Sequence, residues 1–206
     1  MSQDSSAEQP SHRGPQPARA ADGDAPLHTL FQVSTSGALV SGLFAGVVSA
    51  EKILQHGDFG LGTFAGLDGE MIVLDGHVYQ AKGDGTVNEV GPRAEAPFAV
   101  VTRFTADVDT AIDAAPTLAD LTALCDRARA SNNLFFALRL DGRFETVRIR
   151  AVAPVPPDAR LIDAAKAQHE FVHHDVDGTL VGIWSPGFSS AFSVPGYHFH
   201  FLSADR

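Results

Sequence analysis

The sequence of 206 residues has a single cysteine, Cys125, which excludes a disulfide within the chain and a cluster of thiolate metal ligands. A lone thiol is usual in a reducing cytosol, so we expect a cytoplasmic protein. Residues 1–26 lack Val, Ile, Leu, Phe, Tyr and Trp altogether, and therefore contain no apolar core of a secretory signal. No later apolar run reaches the roughly 18 residues of a membrane span. These absences predict a soluble protein that does not interact with membranes.

Basic residues are also scarce, since 15 Lys and Arg stand against 25 Asp and Glu and give a net charge of −10. A nucleic-acid-binding protein needs a basic surface, so we expect no nucleic-acid partner. An anionic small molecule would be repelled at long range. Any site for such a substrate must therefore use a local arginine or a metal ion.

The residues that are abundant indicate the fold class. Hydrophobic residues make up 44% of the chain, while 19 Gly and 12 Pro predict many turns. We expect an α+β fold of two closely packed halves, with mixed or antiparallel β-sheets and a few short helices. The composition divides the chain into a disordered leader, an N-terminal α+β half and a β-rich half, at residues 1–26, 27–132 and 133–206.

Local patterns place the elements. In the first half we predict three helices: one capped by Ser34 or Thr35 that carries Leu39, Leu43 and Val47, a second from Ser49 to Gly57, and a third capped by Thr117 that ends near Ser131. Between the second and third helices we predict a hairpin of Met71–Leu74 and His77–Gln80, with its turn at Asp75 and Gly76. A strand at Pro97–Phe104 follows this hairpin. In the second half we predict a hairpin of Leu134–Leu140 and Phe144–Val152 around Asp141 and Gly142, and strands at Phe171–His174, Thr179–Trp184 and Tyr197–Leu202.

His198 and His200 are the first candidates for chemistry. Strand alternation places both imidazoles on one face, with Tyr197, Phe199 and Phe201 on the other, so two ring nitrogens could meet one metal ion. By itself, a His-x-His pair is more typical of ordinary, partly buried histidines. A third ligand would be needed to identify a metal site.

Other polar groups have plain structural interpretations. Gly57, Gly60 and Gly62 resemble a phosphate-binding loop, but the Lys and Ser/Thr of a P-loop are missing, which favours tight turns before a strand. Glu70 fits a solvated turn. Arg150 shares a strand face with Arg148 and would be surface charge unless that face lines a pocket, where a guanidinium could hold a carboxylate through two hydrogen bonds.

Several segments occur in an order that is specific to one family. The runs GDFGLGTF, LDGEMIVLDGHVYQ, PFAVV, GTLVGIWSP and PGYHFHFL, between Thr29 and Arg206, resemble α-acetolactate decarboxylases. The resemblance implies a lyase that converts (S)-2-acetolactate to (R)-acetoin and carbon dioxide through a metal-stabilised enediolate. It also implies Zn²⁺ held by three histidines, and a homodimer.

The resemblance also assigns residues to roles. His198 and His200 match the first two zinc ligands, Glu70 matches a carboxyl group that transfers a proton, Thr63 matches a hydrogen-bonding residue of the site, and Arg150 matches an arginine near the substrate. In the family, the third histidine and a second acidic residue follow the GYHFHF strand. The sequence ends at Arg206, which leads us to expect that a C-terminal segment is missing.

Two alternatives remain at this point. The first is a catalytically impaired remnant of the same fold that lacks the third zinc ligand. The second is an unrelated cupin-like oxygenase, which would use iron and a third ligand such as Glu170 or His174.

Overall fold

Strands dominate the structure, a computed structural model that describes residues 28–156 and 159–206. The expected leader, residues 1–26, lies outside the described residues. The strands are β1 (Leu30–Val33), β2 (Val48–Ser49), β3 (Phe59–Thr63), β4 (Glu70–Leu74), β5 (His77–Ala81), β6 (Val87–Glu89), β7 (Glu95–Ala96), β8 (Phe98–Thr102), β9 (Phe136–Ala151), β10 (His169–Ser185) and β11 (Gly196–Ser203). The α-helices are α1 (Ser36–Val40), α2 (Ala50–Leu54), α3 (Leu118–Ala128) and α4 (Leu161–Lys166), and short 3₁₀ turns occupy Ala65–Leu67 and Gly187–Ala191.

The first sheet has six antiparallel strands in the order β1-β8-β3-β4-β5-β6. Its strand β3 holds the glycine-rich run and is buried along its whole length. A Cβ atom on Gly60 or Gly62 would overlap the carbonyl oxygens of Val100 and Phe98 in β8. The expected turns before a strand were therefore wrong for Gly60 and Gly62, which lie inside the strand and let β8 approach closely, whereas Gly57 does precede the strand.

The hairpin of β4 and β5 is confirmed. Asp75 and Gly76 have φ values of 52° and 79°, as a two-residue primed turn requires. The strand β4 begins at Glu70, which lies opposite Thr63 of β3. Thr63 and Glu70, which the family resemblance assigns to one site, are thus neighbours in the sheet.

The second sheet has three strands in the order β11-β10-β9. The hairpin predicted around Asp141 and Gly142 was wrong, because both residues lie within the 16-residue strand β9, opposite Thr179 and Gly178 of β10. The Asp141 carboxylate accepts hydrogen bonds from Thr179 Oγ1 at 2.6 Å and from Arg139 Nε at 2.7 Å. One of these bonds crosses to β10 and the other lies within β9. The two strands predicted at 171–174 and 179–184 are likewise one strand, β10.

Two of the helices test the predicted boundaries. The capping box of α3 is present, with Thr117 and Asp120 bonded reciprocally, although the helix ends at Ala128. The helix α1 ends at Val40, and both Leu43 and Val47 are exposed, so the longer helix was wrong. Glycine at position 42 adopts φ 83° and stops the helix one turn after its start.

The two larger sheets pack against each other. Their shared core contains Phe59, Ile72, Leu74 and Tyr79 from the first sheet and Val181 and Leu202 from the second. The α+β fold with antiparallel sheets and short helices is confirmed. Across residues 28–156 and 159–206, no helix is long and apolar enough to cross a membrane.

Candidate functional site

The two imidazoles of β11 meet at their Nε2 atoms. His198 and His200 lie opposite Ile183 and Val181 of β10, and alternation turns both side chains to the same face. Their Nε2 atoms are 3.2 Å apart, and the ring planes are inclined by 81°. The predicted pairing of the two nitrogens is therefore realised in three dimensions.

A backbone carbonyl sets the tautomer of His200. Its Nδ1 lies 2.8 Å from the carbonyl oxygen of Met71, in β4. A carbonyl can only accept, so Nδ1 carries the proton and Nε2 keeps its lone pair. The first sheet thereby presents the Nε2 of His200 as a ligand atom.

Burial keeps both imidazoles neutral near pH 7. It lowers the pKa of His198 to about 3, with a further contribution from the neighbouring His200. Burial also lowers the pKa of His200 to about 4, against the opposing effect of the hydrogen bond to Met71. Neutral imidazole is the form that binds metal ions.

Glu70 supplies a carboxyl group beside the pair. Its Oε2 lies 3.5 Å from Nε2 of His200, and its side chain is 19% exposed. Burial raises the pKa of Glu70 to about 7, while a hydrogen bond from the backbone N–H of Val152 lowers it by less. Glu70 was expected to be a solvated turn residue from local sequence, but here it can hold a proton near neutrality.

Thr63 supports the turn that leads into Glu70. Its Oγ1 donates a hydrogen bond to the carbonyl oxygen of Gly69 at 2.8 Å, and both groups are buried. At Gly69, φ is 89° and a Cβ atom would lie 2.5 Å from the carbonyl oxygen of Ala81, so glycine is required there. The side chain of Thr63 thus acts on the backbone next to Glu70.

Arg150 contacts Glu170 and not the histidine pair. Its side chain is 65% exposed, and its Nε lies 3.4 Å from Oε2 of Glu170, whose other oxygen binds Arg148 at 2.8 Å. The backbone of Val152, which directly follows the last residue of β9, bonds to Glu70. The structure thus brings together Thr63, Glu70, His198 and His200, and Arg150 pairs with Glu170 instead of with any of these four.

The geometry of the pair suits a metal ion. Tetrahedral Zn²⁺ with Zn–N bonds of about 2.0–2.1 Å separates two ligand nitrogens by about 3.3 Å, close to the observed 3.2 Å. In the part of the chain that the structure describes, no three His, Cys, Asp or Glu side chains form a group that could hold a metal. His198 and His200 therefore account for two ligand positions.

The iron-site alternative has no geometric support. Glu170 is engaged by Arg148 and Arg150, and Nδ1 of His174 contacts Oγ1 of Thr146 at 3.1 Å. Neither residue contacts the histidine pair. Sequence reasoning had no means of finding the carbonyl of Met71 or the N–H of Val152, because backbone groups leave no signal in residue type.

The fold and the site first define a class: an α+β protein in which two antiparallel sheets pack together around a histidine pair and a carboxyl of raised pKa. Residues 30–206 match the model of one family, alpha-acetolactate decarboxylase. The chain belongs to the α-acetolactate decarboxylase family.

Individual relatives agree with this assignment. Alpha-acetolactate decarboxylases of Methanosarcina mazei and Methylococcus capsulatus are each 42% identical to the chain, over 86% and 85% of its length. The crystal structure of the Bacillus subtilis strain 168 enzyme superposes with a TM-score of 0.83 at 38% identity, and the alignment covers 86% of this chain and 76% of that one. The chain spans 62% of the length of the M. mazei relative and 68% of the M. capsulatus relative.

Proposed function

We propose that the protein decarboxylates (S)-2-acetolactate to (R)-acetoin and carbon dioxide, with Zn²⁺ as cofactor. The observation that carries the proposal is the buried cluster in which two neutral imidazoles present Nε2 atoms 3.2 Å apart beside the carboxyl group of Glu70. Membership of the family supports the choice of substrate. His198 and His200 would hold the metal, together with ligands other than these two.

The reaction explains why this combination of groups is useful. When the bond between the carboxylate and the neighbouring carbon breaks, carbon dioxide leaves. The electron pair of that bond stays on the substrate and delocalises into the adjacent ketone as an enediolate. A bound zinc ion would stabilise the negative charge that develops on the oxygens. A proton must then be added to one face of the carbon, which completes acetoin and sets its chirality.

Glu70 is suited to supply that proton. With a pKa of about 7, a substantial fraction of its carboxyl groups is protonated at neutral pH. The N–H of Val152 and the turn held by Thr63 restrict the position of this carboxyl. A proton delivered from one fixed direction would give a single enantiomer.

Arg150 is the proposed contact for the carboxylate that is lost. A guanidinium can bind a carboxylate through two parallel hydrogen bonds. In the structure, Glu170 occupies this position on Arg150 at 3.4 Å, so the substrate carboxylate would have to replace or join Glu170. This role follows from the family resemblance and the chemistry of the side chain.

Zinc content and acetoin formation test the proposal together. The purified protein should retain zinc, and chiral gas chromatography should detect (R)-acetoin from racemic 2-acetolactate. His198→Ala should abolish zinc retention, whereas Glu70→Gln should keep zinc and lose most turnover. His174→Ala, an exposed histidine of the same sheet, is the matched control and should change neither.

One observation favours the alternative of a catalytically impaired protein, namely that no third metal-binding side chain joins the pair among the described residues. A folded protein that holds no zinc and forms no acetoin would establish that alternative for this chain. Unchanged zinc content in His198→Ala would contradict the assigned metal site. Homodimer formation, a cytoplasmic location and the absence of a nucleic-acid partner remain predictions.

A further inference from the structure

An arginine is enclosed on the face of the second sheet opposite the histidine pair. The Cζ atom of Arg129, which caps α3, lies 3.6 Å from the ring centroid of Trp184 and 5.6 Å from that of Tyr197. Its side chain is 10% exposed. A planar guanidinium that stacks on an indole keeps its hydrogen-bond donors free at the edge, which a lysine cannot reproduce.

Hydrogen bonds complete this cluster. Nε of Arg129 donates to the hydroxyl oxygen of Tyr197 at 3.1 Å, Nη1 donates to Oδ1 of Asn132 at 3.0 Å, and Nη2 pairs with Asp126. The Tyr197 hydroxyl in turn donates to Oδ1 of Asp126 at 2.7 Å. We call Asp126, Arg129, Trp184 and Tyr197 the arginine clamp. It ties α3 to both β10 and β11.

The arginine clamp lies directly behind the metal ligands. Trp184 and Tyr197 are opposite each other in the ladder, and the next pair is Ile183 and His198. Tyr197 and Phe199, which flank His198 in sequence, stack with ring centroids 5.7 Å apart on the face that α3 covers. Packing that fixes the rings of Tyr197 and Phe199 therefore restrains the backbone on both sides of His198.

Within its own sheet, β11 has a neighbouring strand on one side, while His200 and Leu202 contact the first sheet. Among the described residues, β11 pairs only with β10, so a single ladder fixes its backbone laterally. Metal ligands must be placed within a few tenths of an ångström. Groups behind the ligands commonly change metal affinity 10- to 100-fold when they are removed.

We infer that Arg129 is a positioning residue for the histidine pair: by locking α3 onto Trp184 and Tyr197, it holds the His198 imidazole where its Nε2 meets that of His200. The inference rests on the proposed function to the extent that the ligand is Zn²⁺. Its geometric part concerns the imidazoles alone and applies to the metal-free protein as well.

The test compares the zinc affinity of variants at Arg129 and at Arg127, two arginines close together in sequence. In Arg129→Ala, the dissociation constant for zinc, measured by competition with a chromophoric chelator at a temperature where circular dichroism shows a folded protein, should rise about 10- to 100-fold. Arg129→Lys should fall between this variant and the wild type. Arg127→Ala, on the same helix and exposed, should bind zinc within about twofold of the wild type.

A second variant covers the case in which Arg129→Ala does not fold. Tyr197→Phe keeps the stacked ring but removes the hydroxyl that joins Arg129 and Asp126, and it should weaken zinc binding by a smaller factor. A lower melting temperature with unchanged zinc affinity in the folded variants would overturn the inference, because the clamp would then contribute to stability alone.

A metal-free measurement separates this inference from the proposed function. Long-range ¹H–¹⁵N spectra of the imidazoles should show the His198 signals displaced by Arg129→Ala and unmoved by Arg127→Ala. If the wild type binds no zinc, the proposed function fails, and the His198 signals still decide the inference. Identical His198 signals in all variants would refute it.

Discussion

At the scale of single residues, the titratable side chains of Glu70 and His198 both approach His200, at 3.5 Å and 3.2 Å, and the carboxyl and the imidazoles have pKa values shifted in opposite directions. Burial raises the pKa of Glu70 to about 7 from 4.5, and lowers those of His198 and His200 to about 3 and 4 from 6.5. In each case the folded protein favours the uncharged form. The site is therefore electrically neutral in its most stable metal-free state.

The linkage has a definite sign for each group. The folded protein holds the Glu70 proton more tightly than the unfolded chain does, so ionisation of Glu70 removes stability as pH rises from about 4.5 to about 7. The two histidines hold protons less tightly when folded, so their contribution is present above pH 6.5 and is lost as pH falls towards 4 and 3.

Glu70→Gln should therefore stabilise the metal-free protein in alkaline solution only. We expect the free energy of unfolding to rise by about 1–3 kcal/mol at pH 8, because the substitution removes a buried charge, and to change little at pH 4.5. Urea unfolding of zinc-free protein at the two pH values measures this difference. Glu145→Gln, at an exposed carboxyl in β9, should show no such pH dependence, and a Glu70→Gln effect of equal size at both pH values would contradict the pKa of Glu70.

At the scale of elements, the same dipeptide has two outcomes. Asp75-Gly76 forms the turn that sequence predicts, whereas Asp141-Gly142 continues a long strand. The local preference is equal in both places, so the difference comes from the partner: β10 offers Gly178 and Thr179 opposite. A Cβ at Gly178 would lie 2.5 Å from the ring of Phe201, which shows how the side chain of β11 fills that space.

Glycines in strands also differ by their surroundings. Gly62→Ala should destabilise the protein by more than about 2 kcal/mol, since the new methyl group would overlap the carbonyl oxygen of Phe98, a backbone atom that cannot move aside. Gly142→Ala meets nothing within 4 Å and should be neutral or stabilise by up to about 1 kcal/mol. Urea unfolding of the two variants provides the comparison. Equal effects would mean that the close approach of β3 and β8 is not maintained in solution.

The residues of the site also differ in whether local sequence or tertiary packing determines their place. Alternation in β11 was sufficient to place His198 and His200 on one face, because strand geometry is local. Local sequence did not identify Glu70, because the burial that raises its pKa arises from the tertiary packing around β4 and leaves no signal in the neighbouring residues. Only the ordered series of family segments pointed to its role.

At the scale of the whole molecule, the candidate site lies where the two large sheets meet. Glu70 and the carbonyl of Met71 come from β4 in the first sheet, and the histidines come from β11 in the second. The core beneath them is shared as well, with Val181 of the second sheet packed among side chains of the first. Neither sheet can form the site alone.

The two sheets should therefore unfold in one transition. Trp184, the single tryptophan, reports the second sheet by fluorescence, and far-ultraviolet circular dichroism reports all strands; the two urea curves should coincide. Val181→Ala, which removes two buried methyl groups, should shift both curves together and cost about 2 kcal/mol. The exposed Val172→Ala in the same strand is the control, and separate midpoints for the two probes would show independent sheets.

The single thiol has a practical consequence for work in solution. Cys125 is buried on α3, one turn before Arg129, and burial raises the pKa of its thiol. Because Cys125 is only 7% exposed, a maleimide should react faster when α3 opens, so the alkylation rate reports on those openings. The rate of Cys125 alkylation in the unmodified protein therefore measures how stably α3 packs behind the histidines.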